Sequence, residues 1–197
     1  MRGLSIIPLV LMSLVSFPSW GLTMDDLVQR EGLYYQKFTD VPFTGEIDEG
    51  LERGELKNGN QEGQWVRYHE NGQLFYKVEY KNGEREGPWV VYHKNGQLEI
   101  EGNYRNGKLE GPWVGYHKNG QLSFKGEYKN GEQEGPWVYY WNNGHLNSKG
   151  DYKNSKREGT WVFFNTDGTK RMSKLKSGAE ILDEGSGVYR DGVKVGD

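Results

Sequence analysis

Between Leu122 and Tyr128 the chain alternates strictly: Leu122, Phe124, Gly126 and Tyr128 interleave with Ser123, Lys125 and Glu127. A period of two places the first set on one face of an extended strand and the second on the other. Leu98, Ile100, Gly102 and Tyr104 do the same earlier, against Glu99, Glu101 and Asn103. Another extended segment, Trp113-Val114-Gly115-Tyr116-His117, lies upstream, with Asn119-Gly120 between the two. Asn-Gly tolerates the positive φ of a primed two-residue turn, so the pattern predicts antiparallel strands joined as a hairpin.

That hairpin recurs. Trp65, Trp89, Trp113, Trp137 and Trp161 stand 24 residues apart, each behind an acidic-glycine pair that begins at Glu62, Glu86, Glu110, Glu134 or Glu158, and each followed by valine. Tyr68, Tyr92, Tyr116, Tyr140 or Phe164 comes three positions later, then Asn-Gly at 71–72, 95–96, 119–120 and 143–144, or Asp167-Gly168. A second Asn-Gly closes the units at 58–59, 82–83, 106–107 and 130–131, with Asn154-Ser155 as the exception. Residues 59–63 and their counterparts are expected to form the second connection, with Pro88, Pro112 and Pro136 marking the start of the next strand. Glycine in the apolar row at Gly54, Gly102, Gly126 and Gly150, with Val78 the departure, predicts an aromatic ring lying across the backbone there.

The fold these signals imply is all-β: tandem 24-residue hairpin repeats in an elongated, curved single-sheet meander, each unit touching mainly its neighbours. Strands ~4.8 Å apart advance the sheet ~10 Å per unit, and twist bends it into a gutter. The chain divides into a signal peptide at 1–21, an N-terminal cap and first half-unit at 22–60, the tandem repeats at 61–173 and a C-terminal cap at 174–197. Leu56 takes the tyrosine slot of the first half-unit. The half-unit Gly187 to Gly192 returns 37 residues after Gly150, which is 13 later than the period requires. The inserted stretch from about Lys174 to Ser186 is expected to cover the last sheet edge.

Composition changes this picture in three ways. Hydrophobic residues make up only 34% of the chain and mean hydropathy is −0.89, too little for a thick two-layer core. Aromatic residues at 14%, with 29 glycines, argue against disorder. At the N-terminus, Arg2, the apolar run Leu4 to Val15, and Ser19 and Gly21 as small residues before a cut read as a secretory signal. The run falls short of the ~20 residues that span a bilayer, so the mature chain is expected to be exported, periplasmic or secreted, with no membrane span. With no cysteine there is no disulfide framework and no thiolate metal site. Removing residues 1–21 takes away only Arg2, leaving 24 basic against 28 acidic residues, a net charge of −4. These charges are interspersed, and the absence of a basic stripe excludes nucleic acid as the expected partner.

The Gly-Pro-Trp-Val openings, the Tyr-His-x-Asn-Gly hairpin and the Gly-x-Tyr-x-Asn-Gly close resemble the variant MORN repeat. Over about residues 38–197, including Phe38 to Gly45, the chain is similar to bacterial proteins labelled YwqK-type antitoxins. That resemblance implies neutralising a toxin by binding it. An export signal departs from a cytosolic antitoxin and directs such a target outside the cytoplasm. MORN repeats more broadly are associated with scaffolding and with acidic lipids, to which a charge of −4 gives little support.

No catalytic, cofactor or metal site is read from the sequence, and the chain is expected not to be an enzyme. His69, His93 and His117 share one slot of the unit, but equivalent atoms ~10 Å apart do not share a zinc that needs ligands at ~2.0–2.1 Å. The same slot holds Trp141 and Asn165 later. The recurring glutamates are spaced too widely for a glycosidase pair and read as turn residues. The leading reading is a scaffold binding a protein or peptide, in which Trp65, Trp89, Trp113, Trp137 and Trp161 serve the fold. The candidate contacts are two variable slots: Arg67, Val91, Gly115, Tyr139 and Phe163, and Phe75, Glu99, Ser123 and Asn147. Substitution of Tyr139 or Ser123 is expected to spare stability, and Trp161→Ala to cost less than Trp113→Ala. The alternative is a carbohydrate or cell-envelope binder that stacks exposed rings on sugars. Ligand identity and oligomeric state are not fixed by the sequence.

Overall fold

A computed structural model describes the backbone of residues 21–174, 180–182 and 185–197, with side chains for 21–171 and 185–197. Residues 1–20, the body of the expected signal peptide, lie outside the described residues. No α-helix occurs among the described residues, and no helix there is long and apolar enough to cross a membrane. The strands are β1 (Leu27–Arg30), β2 (Leu33–Gln36), β3 (Gly45–Ile47), β4 (Glu52–Lys57), β5 (Asn60–Tyr68), β6 (Leu74–Lys81), β7 (Glu84–Tyr92), β8 (Leu98–Arg105), β9 (Lys108–Leu109), β10 (Gly111–Tyr116), β11 (Leu122–Lys129), β12 (Glu132–Tyr140), β13 (Leu146–Lys153), β14 (Lys156–Phe163), β15 (Met172–Lys174), β16 (Glu180–Leu182), β17 (Gly187–Arg190) and β18 (Val193–Gly196). Fourteen of them form one antiparallel sheet from β3 through β14 to β17 and β18, as the alternation predicts. At ~4.8 Å per strand this sheet is on the order of 60 Å long.

The two Asn-Gly pairs of each unit do different things. Between units, both residues take positive φ, as in Asn82 at 50° and Gly83 at 80°, which is a two-residue type I′ turn. The next strand therefore starts at once, with Asn60 or Glu84, and residues 60–63 belong to β5 rather than to a connection. Inside the unit only the glycine has positive φ. His69 N–H donates to Gln73 O and Gly72 N–H to His69 O, both at 2.8 Å, which makes a three-residue loop rather than a primed turn. The reason is the Asn71 side chain, whose Oδ1 accepts the Gln73 N–H at 3.2 Å and closes the loop locally.

Each long strand carries a bulge. Arg53 pairs with Val66 but Glu55 with Glu62, so Gly63, Gln64 and Trp65 together oppose Gly54. Gly63 at φ 64° starts the bulge. Pro88 and Pro136 sit in the equivalent bulges, inside their strands and not at the first residue, and Pro112 is second in β10. A further shift, between Gly115 and Tyr116, sets Leu122 against Tyr116 while Phe124 meets Gly115. Leu122 and Leu98 consequently leave the aromatic row that their alternation suggested, and neither belongs to its packed cluster.

The bulge tips each tryptophan over the preceding strand. A Cβ added to Gly54, Gly102, Gly126 or Gly150 would lie 2.4, 2.3, 2.2 or 2.4 Å from the ring of Trp65, Trp113, Trp137 or Trp161. Those four rings are buried, at most 6% exposed. Where Val78 replaces the glycine, Val78 itself is fully buried and Trp89 is only half-buried. Trp89 stacks instead on Tyr76, with ring centres 5.2 Å apart at 22°. Val78 thereby divides the core into one cluster around Ile47, Leu56 and Trp65 and another around Trp113, Trp137, Trp161 and Tyr189. In the second cluster tyrosine and tryptophan alternate edge-to-face, Tyr104–Trp113–Tyr128–Trp137–Tyr152–Trp161, at 5.0–6.0 Å. The end unit is no thinner than the middle, because Trp161 is 1% exposed and Trp113 6%.

Both ends are capped. Leu22, Met24, Leu27, Tyr34 and Phe43 pack on Ile47, Leu56 and Trp65, and Tyr34, Phe43 and Gly59 exchange backbone hydrogen bonds at 2.7–2.9 Å. At the other end β17 pairs with β14, setting Tyr189 opposite Gly159. β15 and β16 pair with each other apart from the long sheet, and β18 is the last strand of that sheet.

Candidate binding surfaces

The front face carries the tryptophans and, directly paired above them, two columns of side chains. Arg67 meets Tyr76, Val91 meets Ile100, Gly115 meets Phe124 and Tyr139 meets Ser148. The sizes compensate across each pair. Phe124 lies so close over Gly115 that a Cβ there would be 2.1 Å from its ring, while Tyr139 stands beside buried Ser148. Variation in the slot of Arg67, Val91, Tyr139 and Phe163 therefore follows packing volume. Val91 is buried, Phe163 packs on Trp161, and Tyr139 lies 5.9 Å from Trp137 and 6.5 Å from Trp161. Among these slot residues Arg67 alone is exposed. Tyr139 is thus a packing residue, contrary to the expectation that its loss would spare stability.

Phe75, Glu99, Ser123 and Asn147 sit half-exposed beside the loops within units. Phe75 leans on His69 with ring centres 4.6 Å apart, and Glu99 lies 3.3 Å from His93 Nδ1. The Asn147 carbonyl accepts the Phe164 N–H at 2.8 Å. Two arginines that the repeat pattern did not single out join the front. Arg85 lies over Trp89 and Tyr104 at 4.8 and 5.3 Å, and Arg157 over Trp161 and Phe163 at 4.7 and 5.1 Å. Burial raises the Tyr76 hydroxyl above its ordinary pKa, helped by its hydrogen bond to Glu52. Burial likewise raises Tyr139, with Tyr152 adding to it.

The long edges carry hydrogen-bond ladders. On one, His69, His93 and His117 place Nε2 at 2.9, 2.9 and 3.0 Å from the carbonyls of Tyr92, Tyr116 and Tyr140 in the following unit. A carbonyl only accepts, so Nε2 holds the proton, and Trp141 in the same slot donates its indole N–H to Phe164 O at 3.2 Å. What the slot requires is an N–H donor, which histidine and tryptophan both supply. Asn71, Asn95, Asn119 and Asn143 add a parallel ladder, each donating Nδ2 to a carbonyl 23 residues ahead at 2.7–2.9 Å. Along the opposite edge Glu62, Glu86, Glu110 and Glu134 accept the N–H of the turn residue 20 positions ahead. Glu158 accepts from Asp191, 33 ahead, so the C-terminal cap's turn fills the next place in the ladder.

These ladders fix units to one another, and among the described residues no three histidine, aspartate or glutamate side chains converge on a metal position. The back face bears Val66, Val90, Val114, Val138 and Val162 with Pro88, Pro112 and Pro136, between columns of charge. Shallow hollows of about 300 Å³ recur there, one lined by Pro112, Val114, Lys125, Gly126, Glu127, Pro136 and Val138.

The model of the MORN repeat variant matches residues 61–82, 85–106, 109–130 and 133–154. No curated protein matches the chain. Among solved structures 27 chains match. One belongs to the "Crystal structure of GtfA/B complex bound to UDP and GlcNAc", at 11% identity and a TM-score of 0.23 over 68% of this chain, which spans only 24% of that one. Four tandem stretches within residues 61–154 thus match the MORN repeat variant, and the Trp161 unit beyond them continues the same sheet.

Proposed function

We propose that the chain is an exported repeat scaffold, periplasmic or secreted and without enzymatic activity, that holds a protein or peptide on its front face in an antitoxin-like or immunity-like way. The observation that supports this reading is the division of labour among the aromatic rings. Four of the five repeated tryptophans are buried as a spine, and Tyr76, Trp89, Phe124, Tyr139 and Phe163 are left half-exposed in a band beside Arg67, Arg85 and Arg157. Tyrosine, tryptophan and arginine dominate the energetics of protein interfaces because they bring large area at small entropy cost. Sugar binding needs the flat face of an exposed ring, and burial removes four of the five repeated tryptophans from that role, which favours a polypeptide over a carbohydrate.

The test is a pull-down from envelope extract with the mature chain beginning at Leu22, beside the same chain carrying Arg67→Glu, together with a glycan array. A protein retained by the first and lost by the second supports the reading. Binding on the array with no protein retained overturns it in favour of the carbohydrate reading.

A further inference from the structure

The back face has an order that front-face binding does not use. Its side chains fall into two adjacent rows running along the sheet. In the first, Val66, Val114 and Val138 pair directly with Lys77, Lys125 and Lys149. In the second, Gln64, Pro112 and Pro136 pair with Glu79, Glu127 and Asp151. A cationic valine row thus lies beside an anionic proline row, about 7 Å away at two residues' rise along the strand. The Trp89 unit departs in both rows together, with Glu101 at the basic place and Asn103 at the acidic place, and in the Trp161 unit Thr160 pairs with uncharged Val188.

We propose that this face binds the same face of a second copy of the chain, related by a two-fold axis that runs along the sheet between the two rows. Turning one copy about that axis lays its valine row on the partner's proline row, unit against like unit. Lys77 then faces the partner's Glu79, Lys125 its Glu127 and Lys149 its Asp151, each contact made twice by symmetry. In the Trp89 unit Glu101 faces the partner's Asn103, so no like charges meet. An axis along the strands would instead set lysine on lysine. Charge selects one arrangement.

Shape agrees with charge. Pro112–Val114 and Pro136–Val138 form ridges on either side of the hollow floored by Gly126. In the two-fold arrangement ridge meets ridge and hollow meets hollow, and the paired Lys125 and Glu127 side chains occupy the space between. Turning one copy about that axis lays strand along strand, the aligned class of sheet-on-sheet packing, in which strand directions differ by about 30° or less. Five units of ~10 Å by roughly 15 Å of strand give on the order of 750 Å² per partner, comparable to a standard stable interface.

Light scattering of the mature chain across micromolar concentrations is expected to give twice the chain mass. K125E/K149E and E127K/D151K should each be monomeric, and mixing them in equal parts should restore a dimer. The chain has no cysteine, so a second measurement needs no reversal of charge: Val138→Cys and Pro136→Cys chains, mixed and oxidised, should cross-link far more than either alone. A monomeric wild type overturns the proposal. So does a dimer that both charge variants retain, or a mixture that fails to cross-link.

Discussion

Gly126→Ala tests the principle on which every unit is built. The new Cβ would lie 2.2 Å from Cδ2 and Cε2 of Trp137, against an ordinary contact of about 3.4–4 Å. The backbone is held by strands on both sides, so the ring must retreat by more than an ångström. Trp137 packs among Phe124, Tyr128, Tyr139 and Tyr152 at 5.3–6.0 Å, and a shift disturbs all four contacts. Complete expulsion of a tryptophan would forgo about 200 Å² of burial, or about 5 kcal/mol. Val78 shows that the chain reaches a compromise short of that, with Trp89 half-buried. The expected cost is therefore about 2–4 kcal/mol, near the upper end for overpacking, and alanine's advantage over glycine in a strand offsets only about 0.5 kcal/mol. Urea unfolding followed by tryptophan fluorescence measures it, with a red-shifted native emission as the companion signal. In a Trp137→Leu background the same alanine should be close to neutral. A wild-type midpoint for Gly126→Ala, or an equal cost in both backgrounds, would refute the argument.

Trp137→Ala and Trp161→Ala should each cost about 3–5 kcal/mol, whereas Trp89→Ala should cost about half as much because its ring is already half-exposed; chemical denaturation of the three variants ranks them. Asn119→Asp keeps the acceptor that closes its own loop and loses the donor to Asn142 O, so it should cost about 1–2 kcal/mol, while Asp167→Asn should leave the urea midpoint unchanged. Tyr76 and Tyr139 hold their protons above the ordinary tyrosine value of about 10, so the unfolded chain ionises first and stability is full below about pH 10 and lost above it. Denaturation near pH 9 and pH 11 should show a smaller loss for Tyr139→Phe than for wild type. Cleavage after Gly21 should give a mature chain starting at Leu22 by mass spectrometry; its new amino group would stand where the Leu22 nitrogen now lies 3.0 Å from Asp48 Oδ1, and a bulk product retaining Met1 refutes the cleavage.

The repeat, the strands and the glycine beneath each ring were legible because they are matters of period and of missing side chains. The bulges were not. Gly63 and its counterparts stand two residues before tryptophan in every unit, yet nothing in a period of two announces that a strand holds two extra residues, which places Pro88 inside its strand; the separate shift at Gly115 and Tyr116, equally silent in the period, takes Leu122 out of its row. The stability expectation for Tyr139 in the variable slot missed its packing for a related reason. Gly115 varies because Phe124 fills its place, and Tyr139 because Ser148 leaves room, so side chains that pair across strands vary together. The histidine slot became intelligible only when Trp141 was seen making the same N–H contact forward as His117 does. Arg85 and Arg157 have no repeat signature, and their position over the rings depends on the fold.

The edge ladders also give the array a direction, in the sense that a growing polymer has one. Every unit through Asn143 reaches forward to the next with an amide and with a histidine or tryptophan N–H. The Trp161 unit puts Asp167 and Asn165 in those places, and both spend their bonds on Thr169 within their own loop. On this edge that unit is a terminator: it accepts a predecessor's donors and donates nothing to a successor. A unit spliced in before Lys156 would be joined on both edges, whereas one following the Trp161 unit would lack this edge's bonds until Asp167→Asn and Asn165→His restored the donors, so on this edge the end of the array is written in two side chains.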